Sequence, residues 1–291
     1  MSITLYLLNK KGYLCLANLL KQNDFKNLID KVVTANDKGN KEDYCDEITR
    51  LCLENKLKVY KKNESFTNTS EYSIAIGWRW LIKEHNNLIV LHDSILPKYR
   101  GFAPLPNMLI NGEKEIGATA IFANKEMDKG NIIFSEKTTI QYPLLIKDAI
   151  DKMSLLYMSL ILKIFKNIAS KKVLPYHIQN EKEATYSVWR DHKDYFIDWT
   201  KDAKYIERFV NAVGFPYDGA KTYVNEKEII TIHKVKALKT YKLENYAPGK
   251  ILTYENEHVI VICGSNTLKI LEAKNEHGIN YEFNKLRTRL T

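Results

Sequence analysis

Two apolar runs narrow the fold more than any other feature of this chain. Residues 88–91 (LIVL) and 116–123 (IGATAIFA) are short, rich in β-branched side chains and bounded by polar residues, the pattern of buried strands. Each leads into a polar stretch with an ionisable group near its start, His92-Asp93-Ser94 after the first and Asn124 to Asp128 after the second. The first stretch continues as LPKYRGFAP, where Pro97, Gly101 and Pro104 punctuate the backbone and argue against a continuous helix. In parallel α/β folds the loops at the carboxyl ends of strands carry the chemistry. An imidazole and a carboxylate from two strand ends can then share one crevice.

The motif H-x-S-x-L-P-x-Y-R-G, from His92 to Gly101, followed by D-x-G at Asp128 to Gly130, resembles the folate-dependent formyltransferases. That family includes methionyl-tRNA formyltransferase, glycinamide ribonucleotide formyltransferase and the nucleotide-sugar N-formyltransferases. The resemblance implies formyl transfer from 10-formyltetrahydrofolate to an amine, with His92 and Asp128 as catalytic groups and no metal. One position departs from the family, which carries an asparagine two residues before the histidine where this chain has Val90. Residues two apart on a strand face the same way, so Val90 takes the place of a hydrogen-bond donor. Ser94 is the first candidate to replace it and Asn107 the second.

Further site residues follow from the same resemblance. The turn Gly77-Trp-Arg-Trp80-Leu81-Ile82 matches the segment that holds the pterin, with the loop from Asn124 to Asp128 as the opposite wall. Read without the family, two tryptophans after a strand are aromatic core and rim. Lys10 and Gly12 sit between a first strand and a first helix, where free N–H groups favour an anion, although solvated turn lysines fit equally well. Arg100 is placed to reach a substrate phosphate, and Phe215 and Tyr217 either stack on a nucleobase or pack between domains.

In chain order, strands are expected at 3–8, 29–35, 71–77 and 132–139, with helices at 13–22, 44–54, 144–171 and 203–212. Residues 220–273 alternate in the manner of a small β-rich barrel. The expected architecture is α/β, a Rossmann-like, mostly parallel sheet with helices on both faces in residues 1–180. A smaller β-rich, OB-like domain is expected in residues 181–291. The dinucleotide fingerprint G-x-G-x-x-G is absent, which argues against a nicotinamide site.

The acceptor is read from residues 36–44, NDKGNKEDY. The corresponding loop of methionyl-tRNA formyltransferases resembles a longer one rich in arginine, glycine and proline, whereas this one has no arginine or proline and carries Asp37, Glu42 and Asp43. Carboxylates repel a phosphate backbone, so a nucleotide-linked amino sugar is favoured over tRNA. The runner-up acceptor is methionyl-tRNA; a relative that binds folate or a nucleotide sugar without turnover is the other alternative.

The net charge of +9 comes from 44 basic and 35 acidic residues with no block of like charge, so it names no partner and does not point to DNA. Cys15, Cys45, Cys52 and Cys263 have neither C-x-x-C nor zinc spacing, and the remaining histidines lack ligand spacing. Free cysteines and the lack of a basic leader point to a cytoplasmic protein. The most apolar helix, residues 153–162, is too short to span a bilayer. Strands of the C-terminal domain offer a surface for a homodimer.

Overall fold

The computed structural model describes every residue except Glu84 and Thr240. It divides into two units, the first formed by residues 1–105, 115–139 and 149–188, the second by residues 106–114, 140–148 and 189–291.

The first unit is built on a seven-stranded sheet. Its elements are β1 (Ile3–Leu7), α1 (Asn9–Leu19), the single turn α2 (Asn23–Lys26), β2 (Ile29–Thr34), α3 (Cys45–Glu54) and β3 (Lys58–Lys61). After these come β4 (Tyr72–Ile76), β5 (Leu88–His92), the two-residue β6 (Arg100–Gly101), then α4 (Pro104–Asn111), most of which belongs to the second unit, and β7 (Glu115–Phe122), β8 (Ile132–Thr139), α5 (Ile146–Ala169) and β9 (Tyr186–Ser187). The sheet runs β3-β2-β1-β4-β5-β7-β8. Strands β3 to β5 pair in parallel, and β7 alone runs against its neighbours. The parallel strands read as continuous apolar runs because both of their faces are covered. Leu5, Leu7, Ile74, Ile76 and Ile89 are fully buried.

Helix α1 starts four residues earlier than the pattern suggested, so Lys10 and Lys11 occupy its first turn. Gly12 explains how the helix lies so close to the sheet. A Cβ there would meet Leu7 at 3.1 to 3.2 Å, tighter than a side chain tolerates without a shift. Strand β3 was not visible in the sequence, because KVYK is half lysine and lies at the sheet edge.

The second unit holds α6 (Ala203–Val213) and the antiparallel strands β10 (Ala220–Val224), β11 (Glu228–Leu238), β12 (Ile251–Glu255), β13 (His258–Ile262) and β14 (Thr267–Asn275), ordered β10-β11-β14-β13-β12. Asp202 caps α6 by accepting from Lys204 N–H at 2.9 Å. Trp199 donates its indole N–H to Thr222 within the core. The two edge strands are joined by the chain's last residues: Leu290 bridges to Val224 on β10, and Arg289 bridges to Lys250, next to β12.

Candidate active site

Strand β5 ends at His92, which is 7% exposed. Its Nε2 lies 2.8 Å from the Tyr99 carbonyl oxygen, which can only accept, so Nε2 carries the proton. The other ring nitrogen, Nδ1, faces Asp128 Oδ1 at 3.7 Å, outside direct hydrogen-bond range. The partner oxygen Oδ2 accepts from the Gly101 backbone N–H at 2.7 Å. Thus both groups are fixed by backbone on one side and open to each other on the opposite side. A reacting atom or a water can bridge them.

Asp128 has φ +56°, a left-handed conformation that aspartate tolerates better than most residues. A side-chain network maintains it. Gln179 donates its amide to the carbonyls of Asp128 and Gly130, both at 2.7 Å. The Gln179 carbonyl accepts from Arg100 Nε and Nη2, at 3.0 and 2.8 Å. Arg100 is fully buried and forms a two-pronged pair with Glu181, which raises the arginine pKa and lowers that of the carboxylate. Arg100 was expected to reach a substrate phosphate. Its donors are instead spent on the scaffold that carries Asp128. Gly101 completes the scaffold at φ +97°, where a Cβ would lie 2.5 Å from the Ser187 carbonyl across the β6–β9 pair.

A second carboxylate adjoins His92. Lys11 Nζ donates to Asp93 Oδ1 at 2.7 Å and lies 5.0 Å from the centre of the Tyr157 ring. Burial opposes the Asp93 charge, but Lys11, followed by Tyr157 and His92, outweighs it and holds the carboxyl below the usual range. Tyr157, whose hydroxyl donates to Leu91 O at 2.9 Å, is pushed well above the ordinary phenol by burial and then by Asp93. Sequence reasoning overlooked this Lys11-Asp93-Tyr157 group. Adjacent lysines look alike in a sequence, and only the helix phase selects Lys11 for the interior.

Other sequence candidates fall as follows. Ser94 is buried, and its hydroxyl donates to Lys98 O at 2.7 Å, so its proton is already committed. Val90 packs between two apolar clusters, one holding Tyr6, Val33, Ala75 and Ile82, the other Leu96, Ile121 and Ile132. Lys10 pairs with Asp151 on α5, which raises its pKa. Gly12 N–H donates to Leu8 O and is not free for an anion. Asn124 Oδ1 accepts from Glu126 N–H at 2.9 Å and shapes the loop that leads to Asp128. Asn107 belongs to the second unit, where it accepts from Arg190. Phe215 and Tyr217 are also in that unit; the Phe215 ring is half exposed, with Lys147 Nζ 5.6 Å away.

Trp80, Leu81 and Ile82 line a pocket of about 420 Å³ in the first unit. Its floor includes Tyr6 and Val33, its walls Phe66 and Trp78, and its rim Lys62 and Lys83. The Trp78 indole N–H is buried with no acceptor among the described residues. Lys62 Nζ stands 4.4 Å from the Trp80 ring centre. A planar heteroaromatic ring with an acceptor atom and an anionic tail matches this lining.

Two family models match the chain in tandem, "Formyl transferase" over residues 57–153 and "Formyl transferase, C-terminal domain" over residues 190–287. The chain belongs to the formyl transferase family. Among curated formyl transferase relatives, a methionyl-tRNA formyltransferase of Caldanaerobacter subterraneus subsp. tengcongensis is 32% identical over 188 residues, 65% of this chain and 59% of its own. The bifunctional polymyxin resistance protein ArnA of Wigglesworthia glossinidia brevipalpis is 28% identical over 94% of this chain and 43% of its own. The chain therefore spans less than two thirds of the curated relatives it matches. In fold it is similar to the N-formyltransferase of Helicobacter canadensis, solved with folinic acid and dTDP-3-aminofucose, at TM-score 0.69 and 17% identity over 93% of this chain and 98% of the other. Among the described residues, no cluster of three His, Cys, Asp or Glu side chains could hold a metal, and no helix is long and apolar enough to cross a membrane.

Proposed function

We propose that this protein transfers a formyl group from 10-formyltetrahydrofolate to the amine of a nucleotide-linked amino sugar. The observation that carries the reading is the opening between His92 Nδ1 and Asp128 Oδ1, two groups fixed by Tyr99 O and Gly101 N–H and lacking a direct hydrogen bond to each other. Bound folate supplies an activated one-carbon unit. The pocket suits its ring system: Phe66, Trp78, Trp80 and Ile82 offer apolar walls, the Trp78 N–H lacks an acceptor among the described residues, and Lys62 and Lys83 face the charge of the tail.

The chain's own groups then act in a defined order. Asp128 accepts a proton from the attacking amine, directly or through a water, at Oδ1, which faces the imidazole while Oδ2 is tied to Gly101 N–H. Once Nδ1 has taken up that proton, relayed from Asp128 or the water, His92 stabilises charge on the formyl oxygen or passes the proton to the departing nitrogen, while Tyr99 O prevents the ring from turning. General acid–base help of this kind contributes about 10² to 10⁴ in rate. Val90 contributes no hydrogen bond to this chemistry, and the Ser94 proton is already taken by Lys98 O.

The acceptor reading rests on residues 36–44. Asp37 is buried and paired with Arg79, and Asp43 accepts from the N–H groups of Asp37 and Cys45. The loop's carboxylates are thus built into its own structure. Methionyl-tRNA is the second reading, favoured by the names of relatives at 32% and 30% identity.

The test offers purified protein and 10-formyltetrahydrofolate a panel of dTDP-, UDP- and GDP-amino sugars beside methionyl-tRNA, with products read by mass. A formyl group added to one sugar is the expected outcome. Formylation of the tRNA alone would replace the acceptor, and an untouched panel with folate still bound would leave a binding protein.

A further inference from the structure

Cys45 is the first residue of α3, and Lys61 is the last residue of the edge strand β3. Their side chains meet with Lys61 Nζ 2.9 Å from Cys45 Sγ, a close approach for a donor to sulfur. Thr49 holds the nitrogen there, accepting from Nζ at 3.0 Å while donating to the Cys45 carbonyl at 2.7 Å. Burial pushes the Cys52 and Cys263 thiols up to about 12 and that of Cys15 higher still, which keeps them protonated and inert. Cys45 is fully buried, while the Lys61 side chain against it is 38% exposed.

We propose that Cys45 and Lys61 form a covalent nitrogen–oxygen–sulfur bridge when a peroxide oxidises the protein. One peroxide takes the thiol to a sulfenic acid and leaves as water. A second removes two electrons and two hydrogens, one from the S–OH and one from the amine, as the N–O bond forms, and leaves as two waters. Sulfur and nitrogen are oxidised, and both peroxides are reduced. The 2.9 Å separation is close to that across a bent S–O–N link and exceeds a direct S–N bond. Four thiol equivalents reverse the change, giving amine, thiol, water and two disulfides. The bridge staples the start of α3 to the outermost strand of the sheet.

The experiment treats reduced wild-type protein with hydrogen peroxide and reads intact mass and peptides. The expected product is about 14 Da heavier, one oxygen in and two hydrogens out. Its digest contains a peptide joining Cys45 to Lys61, and excess dithiothreitol removes the link. Lys61→Arg keeps the positive charge and should stop at sulfenic or sulfinic acid. Sulfinic acid at Cys45 in the wild type with Lys61 free, a crosslink about 2 Da lighter than the starting protein, or Cys45 unchanged would each overturn the proposal.

Discussion

Asp93 and Asp128 stand beside the same imidazole and do opposite things. Asp93 is joined to His92 in sequence, is locked to Lys11 at 2.7 Å, and has its charge answered within the fold. Asp128 arrives from another strand end, is 3.7 Å from the imidazole, and has one oxygen tied to Gly101 while the other faces the ring. A closed pair stabilises; an open one is available for chemistry. The difference teaches that an ionisable group's use depends on its unmet capacity rather than on its distance along the chain.

Three substitutions would break or sharpen that contrast. Asp128→Asn keeps the shape and the Gly101 contact but removes the base, so kcat should fall by about 10² to 10⁴ while stability changes little. Steady-state kinetics with the preferred acceptor would show this, and retention of full kcat would remove Asp128 from the mechanism. Next in size, Val90→Asn places a donor two residues before His92. One preorganised donor is worth about 2.7 to 4 kcal/mol, so kcat should rise by about 10² to 10³. An unchanged or lower rate would show that the valine-lined site works by its own arrangement.

The third substitution, Asp93→Asn, tests the closed pair. It leaves the Lys11 ammonium largely buried and unanswered, a loss of about 3 kcal/mol that a urea midpoint would report. Asp93→Asn should also alter the acid limb of stability. The folded carboxyl lies below its ordinary value of 3.8, so its contribution is complete above that value and disappears as pH falls through it toward the folded one. Wild type should therefore lose stability below about pH 4, and the variant should lose less across the same window. Parallel curves for the two proteins would mean that the pair contributes nothing.

Much of the first unit was legible because its strands are pure apolar runs. Residues 132–139 match β8 from end to end, and the helices expected at 44–54 and 203–212 lie within a residue of α3 and α6. What escaped notice had a physical reason. β3 has a lysine-rich edge sequence, and β6 and β9 are two residues each, held by pairing that no local pattern encodes. The motif and its spacing singled out His92 and Asp128, whose side chains lie 3.7 Å apart. The role of Arg100 was not legible, since an arginine's sequence position does not reveal that Gln179 and Glu181, some eighty residues later, take up its donors. The Lys11-Asp93 pair was hidden for the same reason.

The closure of the second unit carries a consequence for synthesis. Tyr223 N–H donates to Thr291 O at 2.7 Å, and Leu290 N–H donates to Gly249 O at 2.7 Å, so the segment that joins the two sheet edges is made after every strand it pairs with. Until residues 289–291 emerge from the ribosome, both edges of this sheet present unpaired backbone. Unpaired edges are templates for pairing with another chain. Pairing with residues 289–291 withdraws both edges from that competition, so the order of synthesis leaves this sheet open longer than the sheet of the first unit.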